Sequence, residues 1–191
     1  MKGYTRVVKV AMLAAASAVL AAGCADSRVA SKSSLADALN HDYSASEDCL
    51  FARAMPFPYQ VAVSDQLLAE TRHRLDALAE AGLLEREQTT EGGDTINRYV
   101  LTAAGSRTEG AGRFCYGRRQ VTSVEKFTPP VDYDGKSLTK VEYHFVLKNP
   151  PSWAKKDEVR NAFPMVAKSM SDQPVDDATL MLTNAGWVLT Y

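Results

Sequence analysis

The chain has 191 residues and is 46% hydrophobic, which suits a folded globule and argues against gross disorder. It contains 22 basic and 23 acidic residues, and three of the basic ones lie within residues 1–23, so the remainder carries 19 − 23 = −4. A mildly acidic body argues against a general binder of nucleic acid or anionic lipid, because such proteins carry a surplus of positive charge.

Residues 1–23 have the form of a secretion signal. Three basic residues, Lys2, Arg6 and Lys9, precede an uncharged run over 10–23 that ends in small residues. The run is about 14 residues long, which is well short of the roughly 20 that a membrane-spanning helix needs. We therefore expect this segment to be a removable signal peptide.

The segment Leu20-Ala21-Ala22-Gly23-Cys24 resembles the lipobox of bacterial lipoproteins, with Ala21 at the position where Leu is commonest. The resemblance implies that Cys24 receives a diacylglyceryl thioether and becomes the new N-terminus. Two or more acyl chains, at roughly 0.8 kcal/mol per buried methylene, make such an anchor durable. Ala25, rather than Asp, favours the periplasmic face of the outer membrane. The alternative is a plain signal peptide with a chance cysteine.

Residues 24–47 are predicted to form a lipidated tether that lifts the folded body off the membrane. They are rich in Ser, Ala and Asp, with few large apolar residues besides Leu35, Leu39 and Tyr43. One or two helical turns over 34–39, capped by Ser33 or Ser34, are compatible with this composition.

The two remaining cysteines, Cys49 and Cys115, predict a structural disulfide, because an even pair in a secreted chain is usually oxidised. A redox pair or a metal site is the alternative. A redox pair is usually spaced Cys-x-x-Cys, which this chain lacks, and His41, His73 and His144 are widely scattered. We therefore predict neither a metal nor a cofactor.

Residues 48–106 predict a first folded unit. Pro56 and Pro58 exclude a regular helix, and a short strand over 61–63 follows them. A helix is predicted over 64–81, with its N-cap at Ser64-Asp65 and its end at Gly82. Its apolar positions recur at helical spacing: Leu67, Leu68, Thr71, Leu75, Leu78 and Ala79. The runs 83–88 and 95–102 flank Glu91-Gly92-Gly93-Asp94 and predict a β-hairpin.

Residues 112–191 predict a second, antiparallel α+β unit, so the fold class of the chain is α+β. Strands are predicted over 115–127 and 138–147, and the alternation of the latter places His144 on its exposed face. A helix after Ser152 is expected to kink or restart at Pro164, and a terminal hairpin closes the chain. Residues 180–186 echo residues 99–105, which leaves a duplication of the two units open.

The segments 78–85 and 98–105 resemble the recognition helix and wing of winged-helix proteins, of the PadR and MarR types especially. This chain and those families share three features: a helix that ends in Gly-Leu, a charged hairpin, and a Tyr-x-Leu-Thr-x-x-Gly motif after the hairpin. In the cytoplasmic families this helix enters the major groove of DNA. The resemblance implies that Arg72, Arg74 and Arg86 are the contact residues here.

Three observations oppose DNA as the partner. The signal segment directs the chain away from DNA, and Pro56 and Pro58 occupy the place of the two preceding helices. Acidic residues also interleave with the arginines, whereas DNA readers concentrate positive charge. We therefore predict a winged-helix-like unit that binds another envelope protein through the exposed face of its helix and the hairpin 85–98, which we call the wing.

Catalytic motifs are sparse. Ser-x-x-Lys occurs at 123–126, 137–140 and 152–155, but no Lys-Thr-Gly or Ser-Asp-Asn accompanies it. Asp132-Tyr133-Asp134-Gly135 echoes a calcium loop, yet Pro130 and Val141 fall where ligands are required. The sequence therefore predicts no enzymatic activity.

The function expected from these features is that of an accessory or assembly subunit of the cell envelope, anchored by lipid and bound to a protein partner. An immunity or inhibitor lipoprotein, directed against a periplasmic toxin or lytic enzyme, suits the same features. A small-ligand domain is a third possibility, and it needs a pocket shared by four aromatic residues: Phe127, Tyr143, Trp153 and Trp187.

Overall fold

The structure, a computed structural model, describes residues 28–108 and 110–190. The predicted signal peptide and the predicted lipidation site at Cys24 lie outside the described residues. The chain begins with α1 (Lys32–Ser44) and continues in the order β1 (Asp48–Cys49), β2 (Tyr59–Ala62), α2 (Ala69–Glu80), β3 (Leu84–Glu91), β4 (Asp94–Leu101) and α3 (Ala103–Ser106). It then runs through β5 (Cys115–Phe127), β6 (Val131–Tyr133), β7 (Lys136–Lys148), a 3-10 turn (Ser152–Lys155), α4 (Asp157–Ala162), α5 (Pro164–Ser169), β8 (Val175–Thr183) and β9 (Gly186–Leu189).

Two antiparallel sheets organise these elements and confirm the predicted α+β class. The smaller sheet has three strands in the order β2-β4-β3. The larger sheet has six strands in the order β1-β5-β7-β8-β9, with β6 paired to β7, and it curls into a half-barrel. The predicted hairpins and the strands over 115–127 and 138–147 are confirmed. Burial alternates along β7, as the sequence pattern indicates, whereas register shifts at 121–123 and 124–126 interrupt the alternation along β5.

The predicted helix over 64–81 is confirmed with a later start. The Asp65 carboxylate accepts hydrogen bonds from the backbone N–H groups of Leu67 and Leu68, at 2.9 and 3.3 Å, and so forms a turn before the helix begins at Ala69. Gly82 has a φ of +83°, the left-handed conformation expected where a helix ends.

The prediction of a tether is wrong for residues 32–44, which form the helix α1 against the concave face of the larger sheet. Leu35 and Leu39 are fully buried there. Their spacing of four residues places both on one face of the helix, and the sheet supplies the apolar surface that the segment itself lacks. Ser31, rather than Ser33 or Ser34, is the N-cap, in a capping box with Ser34.

Helix α1 also lies between β9, one edge of the larger sheet, and the part of β5 that the two-residue strand β1 leaves unpaired. The Asn40 side chain bonds both backbone groups of Val121 on β5, at 3.1 and 2.8 Å. On the other side, Asp42 accepts a hydrogen bond of 2.6 Å from the backbone N–H of Leu189 on β9. Both edges thus receive side-chain partners in place of a further strand.

Two hydrophobic cores do not follow the predicted boundary at residues 106–112. One core joins α2 and the smaller sheet to α4 and α5, so Trp153, Val159 and Phe163 pack with Leu75 and Tyr99. The other core lies between α1 and the larger sheet. Pro164 occupies the first turn of α5, as expected of a proline that restarts a helix.

The two echoing segments fold differently. Thr102 caps α3 through a hydrogen bond of 3.0 Å from the Gly105 N–H to its hydroxyl, whereas residues 183–186 form the turn between β8 and β9. A Cβ at Gly105 would lie 2.0 Å from the carbonyl oxygen of Leu83. The glycine that closes the Tyr-x-Leu-Thr-x-x-Gly motif therefore permits α3 to pack against the end of α2.

Candidate functional site

The smaller sheet and α2 carry the three arginines that the sequence identifies as candidate contacts. Arg72 is half-buried and donates from Nη1 to the carbonyl oxygens of Ala62 and Asp65, at 3.3 and 3.2 Å. Its guanidinium therefore holds the loop that joins β2 to α2. On that loop the Leu67 side chain is 94% exposed.

Arg74 lies on the opposite side of the helix. Its Nε is 3.0 Å from the Glu70 carboxylate, and the centre of its guanidinium is 5.8 Å from the ring of Phe163. This distance is within the range of a cation–π contact. Arg74 thus packs toward the junction of α4 and α5.

Arg86 opens a chain of polar contacts that fastens the wing to α2. Its Nη1 donates to Asp76 at 2.8 Å, and the Tyr99 hydroxyl donates to the same oxygen at 2.7 Å. The Asn97 amide donates to the Tyr99 hydroxyl, and Gln88 donates to Asn97 at 2.9 Å. Burial, together with the hydrogen bond to Asp76, raises the pKa of Tyr99 to about 12, so the phenol is neutral and acts as a donor.

The three arginines do not form one cluster. Arg72 and Asp76, four residues apart, share a face of α2, so Arg72 and Arg86 lie along the same side of the unit. Arg74 is two residues from Arg72 and faces away from it. Each cation is engaged within the chain, and none serves as a simple exposed charge.

An open sheet edge is the feature that sequence reasoning missed in this region. Strand β3 is the last strand of its sheet, and its residues from 85 to 91 are exposed. Glu91 and Asp94 flank a two-residue turn and form a hydrogen-bonded pair. Hydrogen-bonded and non-hydrogen-bonded pairs alternate from there along the ladder, and residues of the non-hydrogen-bonded pairs direct their backbone groups away from the partner strand. The backbone groups of Arg86, Gln88 and Thr90 therefore point away from β4, where no other described strand lies.

A second missed feature is the buried Arg119. Its guanidinium donates to Asp48 at 2.6 Å and to Asp176, and it also bonds the Tyr143 hydroxyl. The guanidinium centre is 4.7 Å from the ring of Phe145. Burial opposes the charged form, but the hydrogen bonds and charges of Asp48 and Asp176 raise the pKa of Arg119.

Arg119 therefore ties β1, β5, β7 and β8 together between the two cores. One signal in the sequence could have revealed that Arg119 points toward the interior. Arg119 lies two residues before the buried Val121 on β5, so both side chains project from the same face of the strand. A charged residue on the buried side of a strand requires a partner of opposite charge.

Cys49 and Cys115 are directly opposed on β1 and β5, with their sulfurs in disulfide geometry. The first core is continued by Phe114 and Tyr116 on either side of Cys115. The predicted pair thus joins β1 to the start of the long strand β5, close to the carboxylate of Asp48.

An open cleft of about 550 Å³ lies beside the cysteine pair and is bordered by Arg107, Lys148 and Trp153. The four aromatic residues proposed for a ligand pocket do not meet in one cavity, since Trp153 belongs to the first core and the other three to the second. Among residues 28–108 and 110–190, no cluster of three His, Cys, Asp or Glu side chains could hold a metal.

No protein-family model, curated protein or solved structure matches the chain. In the part of the chain that the structure describes, no helix combines the length and the apolar character needed to cross a bilayer. Function is therefore inferred from the geometry described above.

Proposed function

We propose that the chain is a lipid-anchored protein of the outer membrane that faces the periplasm and acts as a protein-binding accessory subunit of the cell envelope. The anchor is the lipid expected on Cys24. The binding surface is the open edge of β3 on the wing. The exposed backbone of that edge is the observation that carries the proposal.

An open strand edge binds a partner by adding the partner's extended segment to the sheet, and backbone hydrogen bonds supply much of the affinity. The outward backbone groups of Arg86, Gln88 and Thr90 offer such a row. The side chains of Arg86 and Gln88 are fastened to Asp76 and Asn97. The edge is therefore held in place before binding, which reduces the entropy lost on association.

Charges next to the edge favour a particular kind of partner. Glu85 and Glu87 lie on the face of β3 that points away from α2, and only Glu87 has an ion pair, with Arg98 at 2.7 Å. Charged side chains on an exposed edge discourage pairing between identical copies. An extended segment that carries basic residues suits this edge, because it complements the carboxylates.

Two of the arginines predicted as direct contacts, Arg72 and Arg86, stabilise segments next to this surface. Arg86 holds the wing against α2, and Arg72 holds the loop that exposes Leu67. Reversal of either charge is expected to weaken capture of the partner by loosening these segments. Arg74 is remote from the edge, so its replacement should have the smallest effect of the three.

The test blocks the edge without disturbing the hairpin. The N–H of Thr90 points away from β4, so Thr90→Pro removes an outward donor and leaves the pairing between β3 and β4 intact. Thr90→Val is the matched control, because it removes the hydroxyl and keeps the N–H. A photo-crosslinking residue at the exposed Thr89, which leaves the contacts of Arg86 and Gln88 in place, then reports on the neighbour of the edge in intact cells.

We expect the probe at position 89 to crosslink to one envelope protein, with Thr90→Pro abolishing the product and Thr90→Val preserving it. A product of equal yield in both variants contradicts binding at the edge. If the captured protein is a secreted toxin or lytic enzyme, and deletion of the gene causes sensitivity to it, the chain is an immunity lipoprotein. An envelope or secretion defect on deletion supports the accessory role.

A further inference from the structure

An apolar row crosses four neighbouring strands of the larger sheet near the tip of the β6–β7 hairpin. Val131 on β6 is paired with Leu138 on β7, which is paired with Met181 on β8, which in turn is paired with Val188 on β9. Directly opposed residues project from the same face of a sheet. The four side chains, which we call the apolar row, therefore form one continuous strip.

The apolar row lies on the convex face of the sheet, away from α1. Its neighbours along the strands, Thr139, Leu180 and Trp187, are buried and face the opposite way. None of the four residues packs against either hydrophobic core. Val131 is 61% exposed, and Tyr133, two residues further along the same face of β6, is 71% exposed.

The described chain also begins at this end of the sheet. Ser33, in the first turn of α1, borders the same groove as Gly186 and Val188, so the start of the helix lies beside the last member of the apolar row. Cys24 precedes Arg28 by only four positions, and four residues span at most roughly 14 Å. A lipid on Cys24 would therefore hold this end of the sheet close to the bilayer.

We propose that the apolar row and Tyr133 rest in the interfacial region of the lipid bilayer and fix the orientation of the protein on the membrane. This inference depends on the lipid anchor of the proposed function. Burial of the exposed Val131 and of the half-buried Leu138 in the acyl boundary removes apolar surface from water. A tyrosine ring suits the headgroup level, because its body is apolar and its hydroxyl is polar.

The charges at this end indicate which lipid is required. Cations exceed carboxylates by one among its exposed side chains: Arg28, Lys32, Lys136 and Lys140 against Asp37, Asp132 and Asp134. Attraction to anionic headgroups is thus small, and a zwitterionic surface should suffice.

In the proposed orientation, the long strands separate the membrane from the open edge of β3. The 13 residues of β7 run from Lys136 at the apolar row to Lys148 beside the first core, a distance of about 40 Å at 3.3 Å per residue. The smaller sheet and the open edge of β3 then lie at the end away from the membrane. The folded sheet, rather than an extended tether, therefore sets the distance between the membrane and the open edge of β3.

The test measures contact between a tryptophan and lipid bromine atoms. Full-length lipidated protein carrying Val131→Trp is reconstituted into phosphatidylcholine vesicles with brominated acyl chains, which quench nearby indole fluorescence. The matched control is Val146→Trp, on the same strand and face as Leu138 but eight residues away, or about 26 Å. The unsubstituted protein supplies the background from Trp153 and Trp187, which are buried.

We expect quenching of the added indole at position 131 by about two-fold, and little at position 146, since interfacial groups lie within roughly 5–10 Å of the acyl boundary. Replacement of part of the phosphatidylcholine with phosphatidylglycerol should not alter the ratio. Equal quenching at both positions, or none at position 131, overturns the inference, and a protein partner on the row would give the latter result. Flotation with the vesicles reports the anchor separately, and protein that fails to float overturns the anchor and the orientation together.

Discussion

Replacement of Arg119 by methionine removes the buried cation while keeping a side chain of similar length. The Arg119 side chain is 11% exposed, and its partners Asp48 and Asp176 are each 22% exposed. In Arg119→Met, Asp48 loses this ion pair, whereas Asp176 keeps Lys168 at 2.9 Å. Removal of one member of a buried ion pair costs about 3–5 kcal/mol, because an uncompensated charge remains.

The adjacent Arg118 offers a matched control. It is 52% exposed and lies 3.2 Å from Glu47, so Arg118→Met removes a similar side chain from a solvated pair, which costs less than about 1 kcal/mol. Thermal unfolding at pH 7 measures both variants. Arg119→Met should unfold at a temperature roughly 6–20 °C lower than the wild type, at about 2–4 °C per kcal/mol for a chain of this size.

The pH dependence provides an independent check. Burial acts to raise the pKa of Asp176, but the hydrogen bonds from Lys168 and Arg119 prevail and lower it. A lowered folded pKa contributes stability above the unfolded value of about 3.9, and this contribution is lost as the pH falls through the folded pKa. The difference between the wild type and Arg119→Met should therefore shrink below about pH 4.

The reasoning is refuted if Arg119→Met and Arg118→Met lose equal stability at pH 7. It is also refuted if the difference between Arg119→Met and the wild type is independent of pH. Either result would mean that the network adds nothing beyond solvated ion pairs.

Three further predictions test other parts of the fold by urea unfolding. Leu39→Ala should cost about 2–5 kcal/mol, because Leu39 is fully buried, whereas the exposed Asp37→Ala should be near neutral; equal effects would mean that α1 is not part of the core. Tyr99→Phe should cost about 1–3 kcal/mol by leaving Asp76 short of a donor. Since the pKa of Tyr99 is raised to about 12, its contribution is present below about pH 10 and lost as the pH rises through 12, so the variant should show a smaller alkaline loss than the wild type. Cys49→Ser should cost about 4 kcal/mol for a sequence separation of 66 residues, and a reductant should destabilise the wild type but not the variant. An unchanged wild type under reductant would contradict a disulfide.

Part of this architecture could be predicted because its determinants are local. The apolar spacing along 64–81, the glycine at Gly82 and the Gly92-Gly93 turn act within a few residues, so a helix and hairpin follow from short-range geometry. Alternation along 138–147 identified β7 in the same way. Packing preserved each of these elements, with only the start of α2 displaced by the turn at Asp65.

The elements that were missed depend on residues far apart in the chain. Leu35 and Leu39 are too few to predict a buried helix from the segment alone, and they suffice only because the larger sheet provides an apolar surface. Arg119 binds Asp48 and Asp176, which lie 71 and 57 residues away from it in the sequence. No local pattern could bring these charges together.

Local sequence by itself determined the helix α2, the hairpin β3–β4 and the apolar face of β7. Tertiary structure alone decided that β3 is left with an open edge and that Val131, Leu138, Met181 and Val188 form one row. The physical reason is the geometry of sheets. Neighbours along a strand are neighbours in sequence, whereas neighbours across strands are set by register, which arises only when the whole sheet assembles.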